Sequence, residues 1–233
     1  MRRARASPRQ RWRHLGGRGA RARYGRAVTP TIRPARLDPA GLAADAAACA
    51  AIYAPYVTGT STSFEEVPPS AEEMAARIAA CSATHAWLVA ERPHGEQPNG
   101  EQPNGERRDG EILGYAYGSA YRARPAYRWT AEVTVYLAHD APRRTGAGRA
   151  LYDALLTRLA ERGYHRAMAG VTLPNDASVG LHRAVGFTEI GTERRVGWKL
   201  GAWRDVLRLQ RDLEVPDGRE GGGKERAAPA EPR

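Results

Sequence analysis

A chain of 233 residues sets a prior of one domain, or at most two. Its formal net charge of +10 invites a nucleic-acid reading, but the placement of the charge removes most of that invitation. Residues 1–28 hold ten arginines and no acidic residue, and the rest of the chain carries 26 basic and 26 acidic side chains. The basicity belongs to a tail, and the body is formally neutral.

Residues 1–29 are Arg, Ala and Gly with almost no apolar side chains, too little to offset the entropy of ordering. They lack the apolar segment of a secretory signal, and with one serine, Ser7, and no apolar face they make a poor transit peptide. They read as a disordered tail, or as sequence upstream of the true start; residues 215–233 read the same way. No apolar run approaches the about 18 residues of a membrane helix, so no membrane contact is expected.

Within the body, a short strand is expected at Thr31–Pro34. Asp38 then caps a helix whose apolar positions Leu42, Ala46, Cys49, Ile52, Tyr53 and Tyr56 keep close to a 3.6 period. Ser70-Ala-Glu-Glu is a capping-box pattern opening a second helix to about Cys81. Cys49 and Cys81 both fall in helical patterns and read as free buried thiols of a reducing cytoplasm. Strands at Ala86–Glu91 and Glu111–Tyr117 flank residues 92–110, where Gly-Glu-Gln-Pro-Asn occurs twice in tandem (95–99 and 100–104) and reads as an inert flexible loop insertion. Thr130–Leu137 is a strand, and Gly146–Arg162 an amphipathic helix with Leu151, Leu155, Leu156 and Leu159 inward. A strand at Ala167–Leu173 and a helix at Asp176–Val185, stopped by Gly186, follow. Phe187–Gly191 and Trp203–Leu209 complete the strands. This alternation predicts an α/β domain over residues 30–214, a mixed sheet flanked by helices.

Arg143-Arg144-Thr145-Gly146-Ala147-Gly148 follows a strand and opens a helix. Its glycines remove side chains, so that backbone N–H groups can approach an anion, and the helix dipole favours negative charge there. With Arg149 nearby, a diphosphate is the natural guest; a glycine-rich turn with solvated arginines is the alternative. The Gly-Lys-Ser/Thr ending of a nucleotide-triphosphatase P-loop is missing.

This run resembles the Gln/Arg-x-x-Gly-x-Gly/Ala pattern of the GNAT N-acetyltransferases. Asn175-Asp-Ala-Ser-Val-Gly-Leu-His182-Arg-Ala-Val-Gly186-Phe187 resembles a second pattern of that superfamily, Asn-x-x-Ala/Ser-x-x-Leu-Tyr-x-x-x-Gly-Phe. Thr62-Ser63-Phe64, the run from Tyr121 to Glu132, Leu173-Pro174-Asn175-Asp176 and Gly201-Ala202-Trp203-Arg204-Asp205-Val206 are similar to segments of phosphinothricin acetyltransferases, and the likeness spans roughly residues 31–214. Three departures stand out: the longer loop at 92–110, a stretch Ala138–Pro142 one residue longer, and Arg128 where the family often has Asp or another polar residue.

The resemblance implies a mostly antiparallel GNAT fold, acetyl-CoA as co-substrate, no metal and a homodimer. It implies that Arg143, Arg144, Thr145, Gly146, Ala147, Gly148 and Arg149 hold the pyrophosphate, that Val135, Tyr136 and Leu137 bind the pantetheine arm through their backbone, and that Asn175 belongs to the cofactor site. It also assigns Glu132 as the base that deprotonates the amine, since a protonated amine has no free lone pair. His182 stands where many members have a tyrosine that protonates the leaving thiolate, and a histidine can donate at neutral pH. Arg122, Arg124 and Tyr127 suit the anionic ends of an amino-acid-like substrate, with Phe64 walling the apolar side. Arg122 and Arg124 disfavour a polycationic drug. A protein or peptide amine as acceptor is the alternative within the fold, and nucleic-acid binding by the basic tail is the alternative outside it.

Overall fold

The computed structural model describes residues 30–92, 110–141 and 145–213. The expected tails, nearly all of the 92–110 insertion, and Arg143 and Arg144 lie outside the described residues. Twelve elements follow in order: β1 (Thr31–Pro34), α1 (Pro39–Gly59), α2 (Ala71–Thr84), β2 (Trp87–Glu91), β3 (Ile112–Ala120), a 3-10 turn (Pro125–Tyr127), β4 (Thr130–Leu137), α3 (Ala147–Glu161), β5 (Arg166–Thr172), α4 (Asp176–Ala184), β6 (Thr188–Lys199) and β7 (Ala202–Asp212).

The caps form as the sequence directs. Asp38 accepts from the Gly41 N–H at 2.9 Å. Ser70 and Glu73 close a reciprocal capping box, at 3.1 and 2.8 Å. One expectation fails here: α1, 21 residues long, is apolar enough by length and composition to cross a membrane. Its apolar content is largely alanine, whose small side chains let the helix lie close on the sheet, with Ala46, Cys49, Ile52, Tyr53 and Val57 buried. Asp45, 1% exposed, ties the helix to β1 through two hydrogen bonds from Arg33, at 2.7 and 2.9 Å. Burial opposes its charge, but Arg33 and the Arg36 N–H outweigh burial and hold the carboxyl below its ordinary value.

The strands form one sheet in the order β1-β2-β3-β4-β5-β7-β6. All neighbours are antiparallel except β4 and β5, whose parallel register covers only Thr130↔Arg166, Ala131↔Ala167 and Glu132↔Met168. Past Glu132 the two strands part, leaving residues 133–137 of β4 without a strand partner on that side. Side chains alternate along β4. Ala131 and Val133 pack with Leu151, Leu155 and Leu159 of α3. Tyr136 packs on the opposite face with Tyr53 of α1 and Met74 and Ile78 of α2. Glu132 shares that second face.

Three strands outrun their expected ends, β7 running to Asp212 rather than Leu209. β3 continues through Gly118 to Ala120, where Ser119 and Ala120 pair with Glu132 and Ala131 of β4, and the bare Gly118 lets Leu159 of α3 pack on it. β6 runs to Lys199 rather than Gly191. It is an edge strand, exposed along most of its length and irregular at Glu189/Gly191 and Glu193/Gly197, so its charged run obeys no inward–outward alternation.

Candidate active site

Glu132 lies at the point where β4 and β5 diverge. Its Oε1 accepts from Nη1 of Arg208 at 3.1 Å, and Nε of the same guanidinium donates to Glu193 Oε2 at 2.9 Å. Arg208 sits on β7, two strands away, and its partner in register on the intervening strand is Gly170. The sequence reading missed Arg208, Glu193 and Gly170. The signal available was an isolated glycine inside a strand pattern, which marks a close approach.

Across the β3–β4 ladder Glu132 pairs with Ser119, and Tyr117 pairs with Thr134. Ser119 and Tyr117 line a pocket of about 350 Å³ between α2 and the sheet, with Tyr53, Arg77 and Trp87 on its walls. Tyr53 and Ser63 hydroxyls are 2.6 Å apart, and Arg77 grips Glu65 with two bonds of 2.7 and 3.0 Å. Those bonds from Arg77 hold the Glu65 carboxyl below its usual value. Cys81, on the same wall, donates to the Gly118 carbonyl at 2.9 Å, and burial pushes its thiol, like that of Cys49, up to about 12. Neither thiol is a nucleophile at neutral pH.

The β3–β4 connection carries Arg122, Arg124 and Tyr127 at the Glu132 end of the ladder. Arg122 and Arg124 are exposed. The Arg122 guanidinium lies 4.9 Å from the Tyr121 ring centroid and 5.4 Å from that of Tyr127, a cation–π arrangement on a pair of edge-packed tyrosines. Phe64 is placed elsewhere than expected. It is 41% exposed, and its ring covers Gly197 of β6, where a Cβ would stand 2.2 Å from Cε2.

The turn into α3 fits an anion. Gly146 is the N-cap with φ 83°, a left-handed conformation that favours glycine, and no side chain caps the helix. The first intrahelical bond runs from Ala150 to Gly146, so the N–H groups of Ala147, Gly148 and Arg149 have no acceptor in the helix. Thr145 leads into this turn. Gly148 also serves the packing: a Cβ there would meet Leu181 Cδ2 at 3.1 Å and Leu137 Cδ1 at 3.5 Å. It is a packing glycine that lets α3 close on β4 and α4. Arg149 donates to the Ala184 carbonyl at 3.3 Å. Val135, Tyr136 and Leu137 lie on the part of β4 that leaves β5, and the Leu137 carbonyl accepts from Tyr56 at 2.7 Å. Asn175 is the N-cap of α4, accepting from Ser178 at 3.1 Å. Among the described residues no group of three His, Cys, Asp or Glu side chains is placed to hold a metal ion.

His182 does not present a free proton. The ring is 3% exposed; its Nδ1 is 2.7 Å from the Ser178 carbonyl and its Nε2 is 2.8 Å from the Tyr152 hydroxyl. A carbonyl only accepts, so Nδ1 carries the hydrogen and Nε2 accepts from Tyr152. Burial lowers its pKa, with the Ser178 carbonyl opposing. The expected role as direct donor to a thiolate is corrected: polar as it looks on a helix surface pattern, this side chain is packed into the core.

An acetyltransferase (GNAT) domain model matches residues 42–207. The phosphinothricin N-acetyltransferase of Streptomyces viridochromogenes is 36% identical over 189 residues, covering 81% of this chain and 93% of that one. That of Alcaligenes faecalis is 41% identical over 189 residues, covering 80% and 84%. Among solved structures, a GNAT superfamily phosphinothricin acetyltransferase from Sinorhizobium meliloti in complex with acetyl-CoA superposes with a TM-score of 0.68 at 32% identity, over 83% of this chain and 94% of that one.

Proposed function

This chain belongs to the GNAT acetyltransferase family and is an acetyl-CoA-dependent N-acetyltransferase, and on that premise we propose that it acetylates the α-amine of a small amino-acid-like substrate such as phosphinothricin or methionine sulfoximine. The catalytic unit is residues 30–214. The observation that carries this reading is Glu132, a carboxylate at the parting of β4 and β5 that adjoins, through Ser119, a pocket sized for a small molecule.

Acetyl-CoA, when bound, supplies an activated acetyl thioester. The free N–H groups of α3's first turn, with Thr145, Arg149 and the preceding Arg143 and Arg144, are suited to its diphosphate. The unpaired edge of β4 at 135–137 is suited to its pantetheine amides, and Asn175 fixes the start of α4 alongside. Glu132 takes a proton from the substrate ammonium, directly or through one water, which frees the nitrogen lone pair for attack on the thioester carbonyl. A thiolate is a tolerable leaving group that water can protonate, which agrees with the enclosed position of His182. Arg122, Arg124 and Tyr127, at the Glu132 end of the β3–β4 ladder, are suited to a substrate carboxylate or phosphinate, and Tyr53, Met74 and Trp87 give the pocket its apolar walls.

Glu132→Gln keeps the shape and removes the base. Its kcat is expected to fall by about 10²-fold at pH 7 and to recover in part at higher pH, where more of the amine is already neutral. Equal activity to the parent across pH would place the base elsewhere. Rates on phosphinothricin, methionine sulfoximine, free proteinogenic amino acids and a short peptide, read by thiol release, decide the substrate class; preference for the peptide would favour a protein or peptide amine.

The working form is a homodimer. Val196, Trp198, Leu200 and Trp203 are all more than half exposed at the β6–β7 hairpin, next to the open edge of the sheet. A monomer rarely shows such a patch to water, and a second copy of the same surface covers it. Trp203→Asp is expected to sediment as a monomer. Two unpaired cysteines fit a reducing cytoplasm.

A further inference from the structure

We propose that Arg208 is a positioning residue for Glu132, admitted by Gly170 and held by Glu193; the inference rests on the reading of Glu132 as the proton acceptor. β5 separates β4 from β7, so a side chain of β7 reaches β4 only by crossing the face of β5. It crosses at Gly170, where a Cβ would stand 2.7 Å from Arg208 Nη1. Any Cβ there forces the guanidinium to shift. A glycine inside a strand weakens it, and here the missing side chain gives passage to one specific group.

The bridge is not explained by stability. The Arg208 and Glu132 side chains are each 35% exposed and Glu193 is 42% exposed, and ion pairs so open to water add little. What the bridge fixes is direction. A glutamate has three side-chain torsions, whereas a proton acceptor must sit within about 2.6–3.2 Å of the amine. Arg208 engages Oε1 and leaves Oε2, which accepts nothing among the described residues. Glu193 fixes the guanidinium in turn at 2.9 Å. Two carboxylates sharing one guanidinium leave the cluster with one net negative charge. That suits an arriving ammonium and argues against Arg208 being the receptor of a substrate carboxylate.

The test is a set of variants checked for fold by circular dichroism. Arg208→Met is expected to lower kcat by about ten- to a hundredfold, the cost of a misplaced group, with the KM for acetyl-CoA unchanged. Gly170→Val keeps every charge and displaces the guanidinium, so its loss should match, and the double variant should be no slower than either single one. Arg208→Lys should regain part of the rate. In a Glu132→Gln background Arg208→Met should change nothing further, since it acts through the carboxylate. The same loss with and without that carboxylate means that Arg208 contacts substrate directly and overturns the proposal, as does full activity of Arg208→Met beside a slow Glu132→Gln. A fully active Glu132→Gln is the separate failure of the base assignment, visible in the single variant before Arg208 is touched.

Discussion

The hydroxyl of Tyr152 on α3 donates to Nε2 of His182 on α4 across 2.8 Å, inside a cluster closed by Phe187 with ring centroids 5.2 Å from His182. Both side chains are within 3% of full burial. The pair therefore ties the helix that opens at Gly146 to the helix capped by Asn175. Removing the imidazole leaves a buried phenol without its acceptor and a void beside Phe187. His182→Ala is expected to lower the unfolding free energy by about 2–4 kcal/mol. Its kcat at saturating substrate should fall well short of the about 10²-fold loss typical of a missing general acid. Urea unfolding and steady-state rates on the same preparations check both; a large kcat loss at unchanged stability would return His182 to the chemistry.

The two glycines of the turn into α3, proposed to hold the diphosphate, should fail in different ways. Gly146 has open space around a hypothetical Cβ but a φ of 83°, so Gly146→Ala strains only the backbone, by about 1–2 kcal/mol. Gly148 has an ordinary backbone but faces Leu181 and Leu137. Gly148→Val overpacks the α3–α4–β4 contact by about 1–3 kcal/mol. Displacing the turn by that much is expected to raise the KM for acetyl-CoA about tenfold or more. Adding Leu181→Ala makes room and should restore much of the affinity. No restoration would mean that the residue blocks the anion itself.

How far the sequence spoke depended on the range of the interaction. The caps at Asp38 and Ser70, the glycine turn that opens α3 and the strand at Thr130–Leu137 follow local rules, and they were legible. The Glu132–Arg208 bridge was not: it depends on β7 lying beyond β5, a non-sequential order that no periodicity reveals, and only Gly170 hinted at it. β6 was read short because an edge strand exposed on both faces has no reason to alternate. His182 misled for the opposite reason. A polar residue in a motif reads as chemistry, and its burial follows from how α4 docks on α3, which its own helix does not encode.

Acid should weaken the fold through its enclosed histidines. His85 is 8% exposed, stacked on Tyr164 at 4.8 Å, and its pKa is pushed down to about 4, first by burial and then by the charge of Arg162. In the unfolded chain it titrates near 6.5. Above that value the ring is neutral in both states and the stability is complete. Between about 6.5 and about 4 the unfolded chain takes up a proton that the folded one refuses, so stability falls with pH through this window. At about 1.4 kcal/mol per pH unit the loss reaches about 3 kcal/mol, and His182, shifted the same way, adds to it. His85→Phe keeps the stack and removes the proton site. Its urea midpoint should drop less between pH 7 and pH 5 than that of the parent; parallel curves would assign the acid sensitivity to other groups.

The substrate's anionic end is the last point to test. Arg122 is committed to the Tyr121 and Tyr127 rings, and Arg77 is committed to Glu65. Arg124 makes no ion pair among the described residues and is exposed at the same end of the ladder as Glu132. It is therefore the cation best placed to receive a carboxylate or phosphinate without breaking an existing bond. A charge-assisted hydrogen bond is worth about 1.5–3 kcal/mol, so Arg124→Ala is expected to raise the KM for an amino-acid substrate by about ten- to a hundredfold and to leave the KM for acetyl-CoA in place. Arg124→Lys, which keeps the charge and loses the planar fork, should fall between. The sharper comparison uses a substrate and its α-carboxamide. If Arg124 reads the carboxylate, the parent prefers the acid and Arg124→Ala treats the two more alike. If the preference survives the substitution, the carboxylate is received elsewhere, and Arg77 becomes the next candidate, at the cost of its two bonds to Glu65.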